Sequence, residues 1–219
     1  MTTVCDRPNA SRGTGPRAVI FDCDGVLFDS AAANLAYYDT VLSALGQAPL
    51  DAARARQAHT MAAPQLFATL FADDPALIAQ ARAVTRQIDY GPFYRLMQPV
   101  PELFELLGSL KARYRMAMAT NRGTSTQGVV RHFGLDTFFE FAVGMLDVPR
   151  PKPFPDMLEK CLAQFGLPPD TAVYVGDAPS DYEAARAAGM RFIGVGDHSG
   201  AAYRIRDLRE LPAALAGVR

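Results

Sequence analysis

The sequence lacks the features that mark secreted, membrane and nucleic-acid-binding proteins. It has only three cysteines in 219 residues, no tryptophan, and nearly equal numbers of acidic and basic residues. Its longest apolar runs, such as 18–21 and 172–175, are far shorter than the roughly 20 residues of a membrane-spanning helix. No basic block indicates a nucleic-acid surface. We therefore expect neither a membrane nor a nucleic acid as partner.

The three cysteines are Cys5, Cys23 and Cys161. They are too few and too widely spaced for a disulfide framework, and no pair has the spacing of a metal site. This usage favours a reducing cytoplasm. Residues 1–16 are rich in Thr, Ser, Gly, Pro and Arg and have no apolar centre. We interpret them as a mobile tail rather than a signal peptide.

Five short segments are continuously apolar, which is typical of strands that are covered on both faces. They are 17–22, 115–120, 139–144, 172–177 and 191–195. Helical patterns, several with proline in the first turn and glycine after the last, lie between them. These patterns are 101–112, 125–133, 155–165 and 179–188. Strands that alternate with helices of about ten residues predict an α/β fold with a doubly wound parallel sheet.

Residues 30–99 interrupt this alternation. The segment shows no strand pattern, but it has an apolar stripe at helical spacing that starts at Leu35, and prolines divide the rest into short helices. We therefore expect a small all-helical cap domain at 30–99, inserted after the first strand. The α/β core domain would comprise 17–29 and 100–219.

Polar side chains follow several predicted strands or lie in the adjoining loops. They are Asp22 and Asp24 after the first strand, Thr120 and Asn121 after the next, Lys152 in a later loop, and Asp177 and Asp181 after another strand. Loops at the carboxyl ends of parallel strands converge on one crevice. The sequence therefore predicts that carboxylates, a hydroxyl and an ammonium meet at one edge of the sheet.

Such a set suits phosphoryl transfer, which requires in-line positioning and neutralisation of dense negative charge. Crowded carboxylates repel one another unless a hard cation lies among them, and Mg²⁺ prefers oxygen ligands. Asp22 and Asp177 are the natural ligands, with the backbone carbonyl of Asp24 as a further candidate. Asp22 can attack phosphorus, while Asp24 can protonate the leaving oxygen and then activate water. Thr120 and Lys152 would neutralise and orient the phosphoryl oxygens.

Four motifs in register resemble the haloacid dehalogenase superfamily of phosphohydrolases, in its phosphoglycolate-phosphatase-like branch. The run D-C-D-G-V-L-F-D-S at 22–30 is similar to the first motif, and Thr120-Asn121 to the second. The resemblance implies that Asp22 is the nucleophile, that Asp24 is the acid/base, and that the Thr120 hydroxyl binds phosphate. It also implies that Asn121 contributes to substrate binding.

The remaining two motifs supply the lysine and the metal-binding acids. Pro-Lys-Pro at 151–153 resembles the third motif, in which Lys152 would hold the nucleophile and the phosphoryl group together. The run from Gly176-Asp177 to Asp181 resembles the fourth, which supplies acids to the metal. A helical cap between the first two motifs also fits this branch. The resemblance implies a Mg²⁺-dependent phosphatase that forms an aspartyl-phosphate.

Other activities remain open on the same framework. A metal-free dehalogenase would not need Asp24, Asp177 or Asp181, so their presence argues against it. A phosphonate-cleaving relative needs a cap lysine, and residues 30–110 contain none. A sugar-phosphate mutase would keep every group described above. A non-catalytic regulatory protein on this fold usually loses a nucleophile or a metal acid, and this chain keeps all of them.

The substrate is expected to be a small phosphorylated metabolite. Arginines of the cap segment and Arg122 could clamp a carboxylate or a second phosphate, which favours phosphoglycolate or a sugar phosphate. The cap arginines are Arg54, Arg56, Arg82, Arg86 and Arg95. Cap aromatic residues, including Tyr37 and Tyr38, are expected to form the cap core. We expect a monomer or a weak homodimer.

Overall fold

The computed structural model describes residues 15–58, 61–72, 74–197 and 201–218. Most of the predicted tail at 1–16, with Cys5, lies outside the described residues. Cys23 and Cys161 are buried and form no disulfide. None of the described helices has the length and the apolar character that a membrane crossing requires.

The strands of the described residues form one large parallel sheet and one small ribbon. They are β1 (Ala18–Phe21), β2 (Phe28–Asp29), β3 (Gln98–Pro99), β4 (Arg115–Thr120), β5 (Phe141–Gly144), β6 (Ala172–Gly176), β7 (Arg191–Val195) and β8 (Tyr203–Ile205). The sheet has the order β5-β4-β1-β6-β7-β8, and every neighbouring pair is parallel. The antiparallel ribbon pairs β2 with β3.

Helices cover both faces of the sheet. In chain order the helices are α1 (Ala31–Ala44), α2 (Ala52–Ala58), α3 (Ala63–Leu70), α4 (Pro75–Gln87), α5 (Gly91–Tyr94), α6 (Leu103–Lys111), α7 (Thr126–His132), α8 (Asp156–Phe165), α9 (Pro179–Ala187) and α10 (Leu211–Gly217). Apolar residues of α6, α7 and α10 pack on one face, whereas those of α8 and α9 pack on the other.

Strand β1 shows why the first apolar segment is continuous. Successive side chains of a strand point to opposite faces. Val19 and Phe21 belong to the core on one face, and Ala18 and Ile20 to the core on the other. All four are fully buried. The prediction of a doubly wound parallel sheet is confirmed.

Helices α1–α5 lie in the chain between the two strands of the ribbon. Helices α1–α4 share an apolar cluster of their own, which includes Tyr38, Leu66, Phe67 and Phe71. Phe93 and Tyr94 of α5 belong instead to the core cluster on one face of the large sheet. Because β2 pairs with β3, the chain enters and leaves this helical segment at neighbouring points. Two elements at the C-terminal end, β8 and α10, and the ribbon itself were not predicted from the sequence.

Gly176, at the end of β6, allows the chain to turn closely past α9. A Cβ atom at this position would lie 2.5 Å from Cβ of Asp181, a contact that no flexible side chain can relieve. Gly108, in α6, has open space instead, because the nearest atom to an added Cβ would be Cε1 of Phe138 at 4.0 Å. Gly108→Ala is therefore a control for Gly176→Ala, because it adds the same Cβ atom at a position that has room for it.

We expect Gly176→Ala to lower the free energy of unfolding by about 1–3 kcal/mol through overpacking. Gly108→Ala should raise it by roughly 0.5–1 kcal/mol, because alanine is the better helix former. Urea denaturation followed by circular dichroism measures both. A Gly176→Ala variant as stable as the wild type would contradict the packing described for this turn.

Candidate active site

The carboxyl ends of three neighbouring strands bring the first reactive groups together. Strands β4, β1 and β6 are adjacent in the sheet, and Thr120, Asp22 and Asp177 stand at or just beyond their ends. All three line a cleft of about 420 Å³. The backbone N–H of Asp22 donates to the carbonyl of Val175 at 2.9 Å, which continues the β1–β6 pairing. The sheet thus positions this edge as predicted.

Lys152 is a buried ammonium at the floor of the cleft. Its Nζ lies 2.6 Å from Oδ1 of Asp181 and 2.9 Å from Oδ1 of Asp22, and it donates to the Tyr174 hydroxyl at 2.8 Å. The side chain is 2% exposed. Burial lowers the pKa of Lys152, but the carboxylates of Asp181 and Asp22 outweigh burial and raise this pKa above its ordinary value.

Asp181 is fully buried, and its oxygens are already engaged. Oδ2 accepts from the backbone N–H groups of Asp177 and Ala178 at 3.1 and 3.0 Å, at the start of α9. Oδ1 accepts from Tyr174 and pairs with Lys152. A carboxylate at the N-terminus of a helix is favoured by the helix dipole. Asp181 therefore holds the lysine in place and does not line the cleft.

Asn121 fixes the backbone of the loop that carries the lysine. Its amide donates to the carbonyl of Lys152 at 3.1 Å, and its Oδ1 accepts from the Lys152 N–H at 3.0 Å. This two-way pairing spans 31 residues of sequence. The side chain that was predicted to bind substrate is thus committed to positioning Lys152. The hydroxyl of the neighbouring Thr120 accepts from the N–H of Arg122 at 3.2 Å.

Asp22 is buried beside Lys152, but its Oδ1 receives no well-aligned hydrogen bond from the described residues. Lys152 stands close enough to neutralise this oxygen without being directed at it. Burial raises the pKa of Asp22 well above its ordinary value, and the carboxylates of Asp181, Asp177 and Asp24 add to the rise, while Lys152 opposes it. The single ammonium beside Asp22 therefore does not offset its burial and the three neighbouring carboxylates.

Asp177 depends on Gly25 for its position. Gly25 has φ +76°, and an added Cβ would lie 1.9 Å from Oδ2 of Asp177. A glycine at this turn is therefore required both by the backbone and by the approach of the carboxylate. Burial, helped by the nearby carboxylate of Asp181, raises the pKa of Asp177 to about 7. This close approach places the carboxylate of Asp177 in the wall of the cleft, where burial and Asp181 disfavour its charged form.

Asp24 is held by Arg122, a contact that the sequence did not reveal. Nε and Nη2 of Arg122 donate to the two carboxylate oxygens of Asp24 at 2.8 and 2.5 Å. Burial raises the pKa of Asp24, but the guanidinium outweighs burial and keeps the pKa below its ordinary value. Arg122 also approaches the sulfur of Met97 at 3.5 Å. The acid/base candidate is thus bound through both oxygens.

The donor set fits a hard divalent cation. One carboxylate oxygen from each of Asp22, Asp177 and Asp181 lies within 4.8 Å of the others. Oδ1 of Asp22 receives no directed hydrogen bond, and burial beside other acids raises the pKa of Asp177, so a bound cation would favour the charged form of both carboxylates. Oxygen ligands are those that Mg²⁺ prefers. The carboxylate of Asp24 is not part of this group.

The far wall of the cleft is formed by the helical segment. Arg82 and Arg86 line it, together with aromatic side chains such as Tyr37 and Tyr90. The other arginines proposed as anion clamps do not line the cleft and are exposed: Arg54, Arg56 and Arg95. Tyr38 and Phe67 are buried in the core of the helical segment, as expected, although both also reach the cleft.

Sequence reasoning missed Tyr174, which is fully buried in β6. Its hydroxyl contacts the carbonyl of Ala119, Oδ1 of Asp181 and the ammonium of Lys152. The only signal was a tyrosine within an otherwise apolar strand, Ala-Val-Tyr-Val-Gly. A buried tyrosine hydroxyl usually requires a partner, but the strand pattern alone does not say which.

Comparison with known proteins agrees with this arrangement. A family model described as haloacid dehalogenase-like hydrolase matches residues 19–195. A phosphoglycolate phosphatase of Pseudomonas putida is 31% identical over 192 residues, which are 84% of this chain and 70% of that protein. Tyrosine-protein kinase PtkA of Mycobacterium tuberculosis is 31% identical over 196 residues, 87% of this chain and 65% of that protein.

A solved structure supports the same assignment. A HAD-superfamily hydrolase of subfamily IA from Geobacter sulfurreducens is 37% identical to this chain with a TM-score of 0.75. The match covers 94% of this chain and 99% of that one. This chain belongs to the haloacid dehalogenase-like hydrolase family, and the resemblance seen in the four motifs is confirmed.

A double-mutant cycle can measure how strongly the buried lysine is coupled to its acids. Lys152→Met should lower the free energy of unfolding by about 3–5 kcal/mol, because it leaves buried carboxylates without a partner. In Lys152→Met/Asp181→Asn part of that loss should be recovered, with a coupling energy of about 1–3 kcal/mol. Urea denaturation of the two single variants and the double variant gives this value.

The exposed pair Arg150–Asp156, at 2.7 Å, is the control for this cycle. Arg150 is 56% exposed, so the same measurement there should give a coupling energy below about 1 kcal/mol. Equal coupling energies in the two cycles would contradict the central place assigned to Lys152.

Proposed function

We propose that this member of the haloacid dehalogenase-like hydrolase family is a Mg²⁺-dependent phosphatase that hydrolyses a small phosphomonoester through an aspartyl-phosphate at Asp22. One observation carries the proposal: Asp22 lies in the cleft beside the buried ammonium of Lys152, and its Oδ1 receives no directed hydrogen bond. The similarity to a phosphoglycolate phosphatase supports the reaction class.

In the first step an oxygen of Asp22 attacks phosphorus and the bond to the leaving oxygen breaks. Lys152 stands next to the nucleophile, where its charge can neutralise a phosphoryl oxygen as that oxygen approaches the carboxylate. The Thr120 hydroxyl lines the same cleft and can donate to another phosphoryl oxygen. Because Asn121 and Asp181 fix Lys152 from two sides, this arrangement is set before substrate binds.

Asp22 and Asp177 would hold Mg²⁺, with Asp181 close behind them. When bound, the ion would neutralise charge on the phosphoryl oxygens during transfer. Asp177 is the better placed of the two fourth-motif acids, because it lines the cleft while Asp181 is fully buried and already engaged. The backbone carbonyl of Asp24 remains a further candidate ligand.

Asp24 is proposed to protonate the leaving oxygen and then to remove a proton from the water that hydrolyses the aspartyl-phosphate. It lines the cleft next to Asp22 in the chain. The two aspartates thus divide the chemistry: one forms the bond to phosphorus, and the other moves the proton. In the structure Asp24 also forms an ion pair with Arg122, so both proton transfers would take place next to this guanidinium.

The helical segment 30–99 is proposed to act as a cap domain that closes over the site and sheds water. Hydrogen bonds of two tyrosines already link it to the loop after β4. The Thr124 hydroxyl donates to the Tyr90 hydroxyl at 3.1 Å, and the Tyr94 hydroxyl donates to the carbonyl of Ser125 at 3.2 Å. A cleft of about 420 Å³ suits a small metabolite such as phosphoglycolate or a sugar phosphate.

Asp22→Asn should lower turnover by at least about a thousandfold, because the nucleophilic oxygen is removed rather than adjusted. Release of inorganic phosphate from a panel of small phosphomonoesters is the measurement, and it also separates hydrolysis from a mutase reaction, which releases none. Asp170→Asn, at an exposed position in the short 3₁₀ helix Pro169–Thr171, is the control for the same chemical change. Turnover of Asp22→Asn within about tenfold of wild type would rule out this nucleophile.

Activity should be lost in chelator and restored by Mg²⁺, whereas Ca²⁺ should support little turnover because its coordination is longer and looser. Binding of Mg²⁺ without substrate, measured by titration calorimetry, should weaken by about tenfold or more in Asp177→Asn and by less in Asp181→Asn. Full activity after exhaustive chelation, or the reverse order of the two variants, would refute the metal site as drawn.

A further inference from the structure

Tyr38, in α1, is held in the core of the helical segment by its ring. The ring packs edge-on against the rings of Tyr37 and Phe67, with centroid distances of 5.1 and 5.9 Å. Only 5% of the residue is exposed. Because closely packed side chains stay in one rotamer, the core of the segment fixes the direction in which the Tyr38 hydroxyl points.

The hydroxyl of Tyr38 has no hydrogen-bond partner among the described residues. Two other tyrosines of the helical segment do have one: the Tyr90 hydroxyl accepts from Thr124 at 3.1 Å, and the Tyr94 hydroxyl donates to the carbonyl of Ser125 at 3.2 Å. A buried tyrosine hydroxyl usually finds a partner. Since Tyr38 lines the cleft, the cleft is where a partner can reach it.

The Tyr38 hydroxyl lies on the side of the cleft where Asp24 and Arg122 stand. All three residues line the cleft, although Asp24 and Arg122 come from the loops after β1 and β4. Burial raises the pKa of Tyr38 above its ordinary value, the carboxylate of Asp24 adds to the rise, and the guanidinium of Arg122 opposes it. Both charged groups are therefore within electrostatic reach of the hydroxyl, which keeps its proton and can donate it in a hydrogen bond.

A bound phosphomonoester would present its leaving group, rather than its phosphoryl group, to this hydroxyl. The groups proposed to hold the phosphoryl oxygens, Lys152 and Thr120, belong to the strand ends and their loops. Tyr38 instead reaches the cleft from the helical segment, on the side of the carboxyl group proposed to protonate the leaving oxygen. The group that Tyr38 can bind is therefore an oxygen that the leaving group carries near the ester bond.

We infer that Tyr38 is a specificity-determining residue whose hydroxyl donates a hydrogen bond to a hydroxyl or carboxylate oxygen of the leaving group. The substrate class that fits is an oxygenated alkyl phosphate. A leaving group without such an oxygen displaces water from the buried hydroxyl and offers no partner in return, which weakens binding of the substrate and of the transition state. This inference rests on the phosphatase function proposed above.

The test compares glycerol 1-phosphate with propyl phosphate, two esters of equal chain length of which only the first carries hydroxyl groups on its leaving group. Release of inorganic phosphate by the Mg²⁺-loaded protein gives kcat/KM for each. In wild type this value should be about tenfold or more higher for glycerol 1-phosphate, because the other ester leaves a buried hydroxyl unpaired. In Tyr38→Phe it should fall about tenfold for glycerol 1-phosphate and stay within about twofold for propyl phosphate.

Tyr114→Phe is the matched control, because Tyr114 packs against the core of the large sheet and is not part of the cleft lining. It should keep both values. Tyr38→Phe retains the packed ring, so its midpoint of urea unfolding should equal that of wild type. A merely structural role of Tyr38 would lower both values by the same factor. That result overturns the inference, as does an unchanged ratio in Tyr38→Phe or a wild-type ratio below about threefold, which is measured without any variant.

Two further substrates separate this inference from the proposed function. They are 4-nitrophenyl phosphate, whose leaving group carries neither a hydroxyl nor a carboxylate, and phosphoglycolate. If the wild type hydrolyses either of them but shows no preference for glycerol 1-phosphate over propyl phosphate, the role of Tyr38 is wrong and the phosphatase stands. If the Mg²⁺-loaded wild type hydrolyses none of the four esters, the proposed function is wrong and the inference falls with it.

Discussion

The buried ammonium of Lys152 is the interaction on which the rest of the site depends. Removing an ammonium from water costs several kcal/mol unless charged and polar partners replace the solvent. Here Asp22, Asp181 and Tyr174 provide that replacement, and they come from the end of β1, the first turn of α9 and the middle of β6. Because each partner is supplied by a different element, the lysine can be buried only when those elements are correctly assembled. The arrangement beside the proposed nucleophile therefore forms only together with the sheet and α9.

The need to compensate buried charge also distinguishes the four acids of the site, which are Asp22, Asp24, Asp177 and Asp181. Of the described cations that line the cleft, Lys152 and Arg122 come from outside the helical segment, and each already pairs with a carboxylate. Asp181 is compensated by Lys152 and two backbone N–H groups, and Asp24 by Arg122. Asp22 shares Lys152, and Asp177 has a raised pKa. The charge deficit thus falls on the two acids that line the cleft side by side, where a divalent cation would supply what the protein does not.

The sequence predicted the parts of this structure that local patterns determine. Continuous apolar runs marked five of the six strands of the large sheet, and the acids that end them marked its reactive edge. The short strand β8 and the ribbon of β2 and β3 were missed because two or three residues carry no periodicity. The contacts of Asn121 with Lys152 and of Arg122 with Asp24 join residues 31 and 98 positions apart. Such pairings follow from three-dimensional packing, so a motif that names the residues does not reveal their partners.

The cationic side chains in the wall of the cleft lie outside the set of acids that is proposed to carry the chemistry. A shared catalytic framework can serve different acceptors, so selectivity must arise where the cleft wall differs. In this chain that wall combines Arg82 and Arg86 from the helical segment with Arg122 from the loop after β4. Only Arg122 also contacts a group assigned to proton transfer. If Asp24 transfers the proton as proposed, a change at Arg122 alters the surroundings of that carboxyl group directly, whereas changes at Arg82 and Arg86 reach it only through a bound substrate. The loop after β4 therefore connects the wall of the cleft to the group proposed for proton transfer.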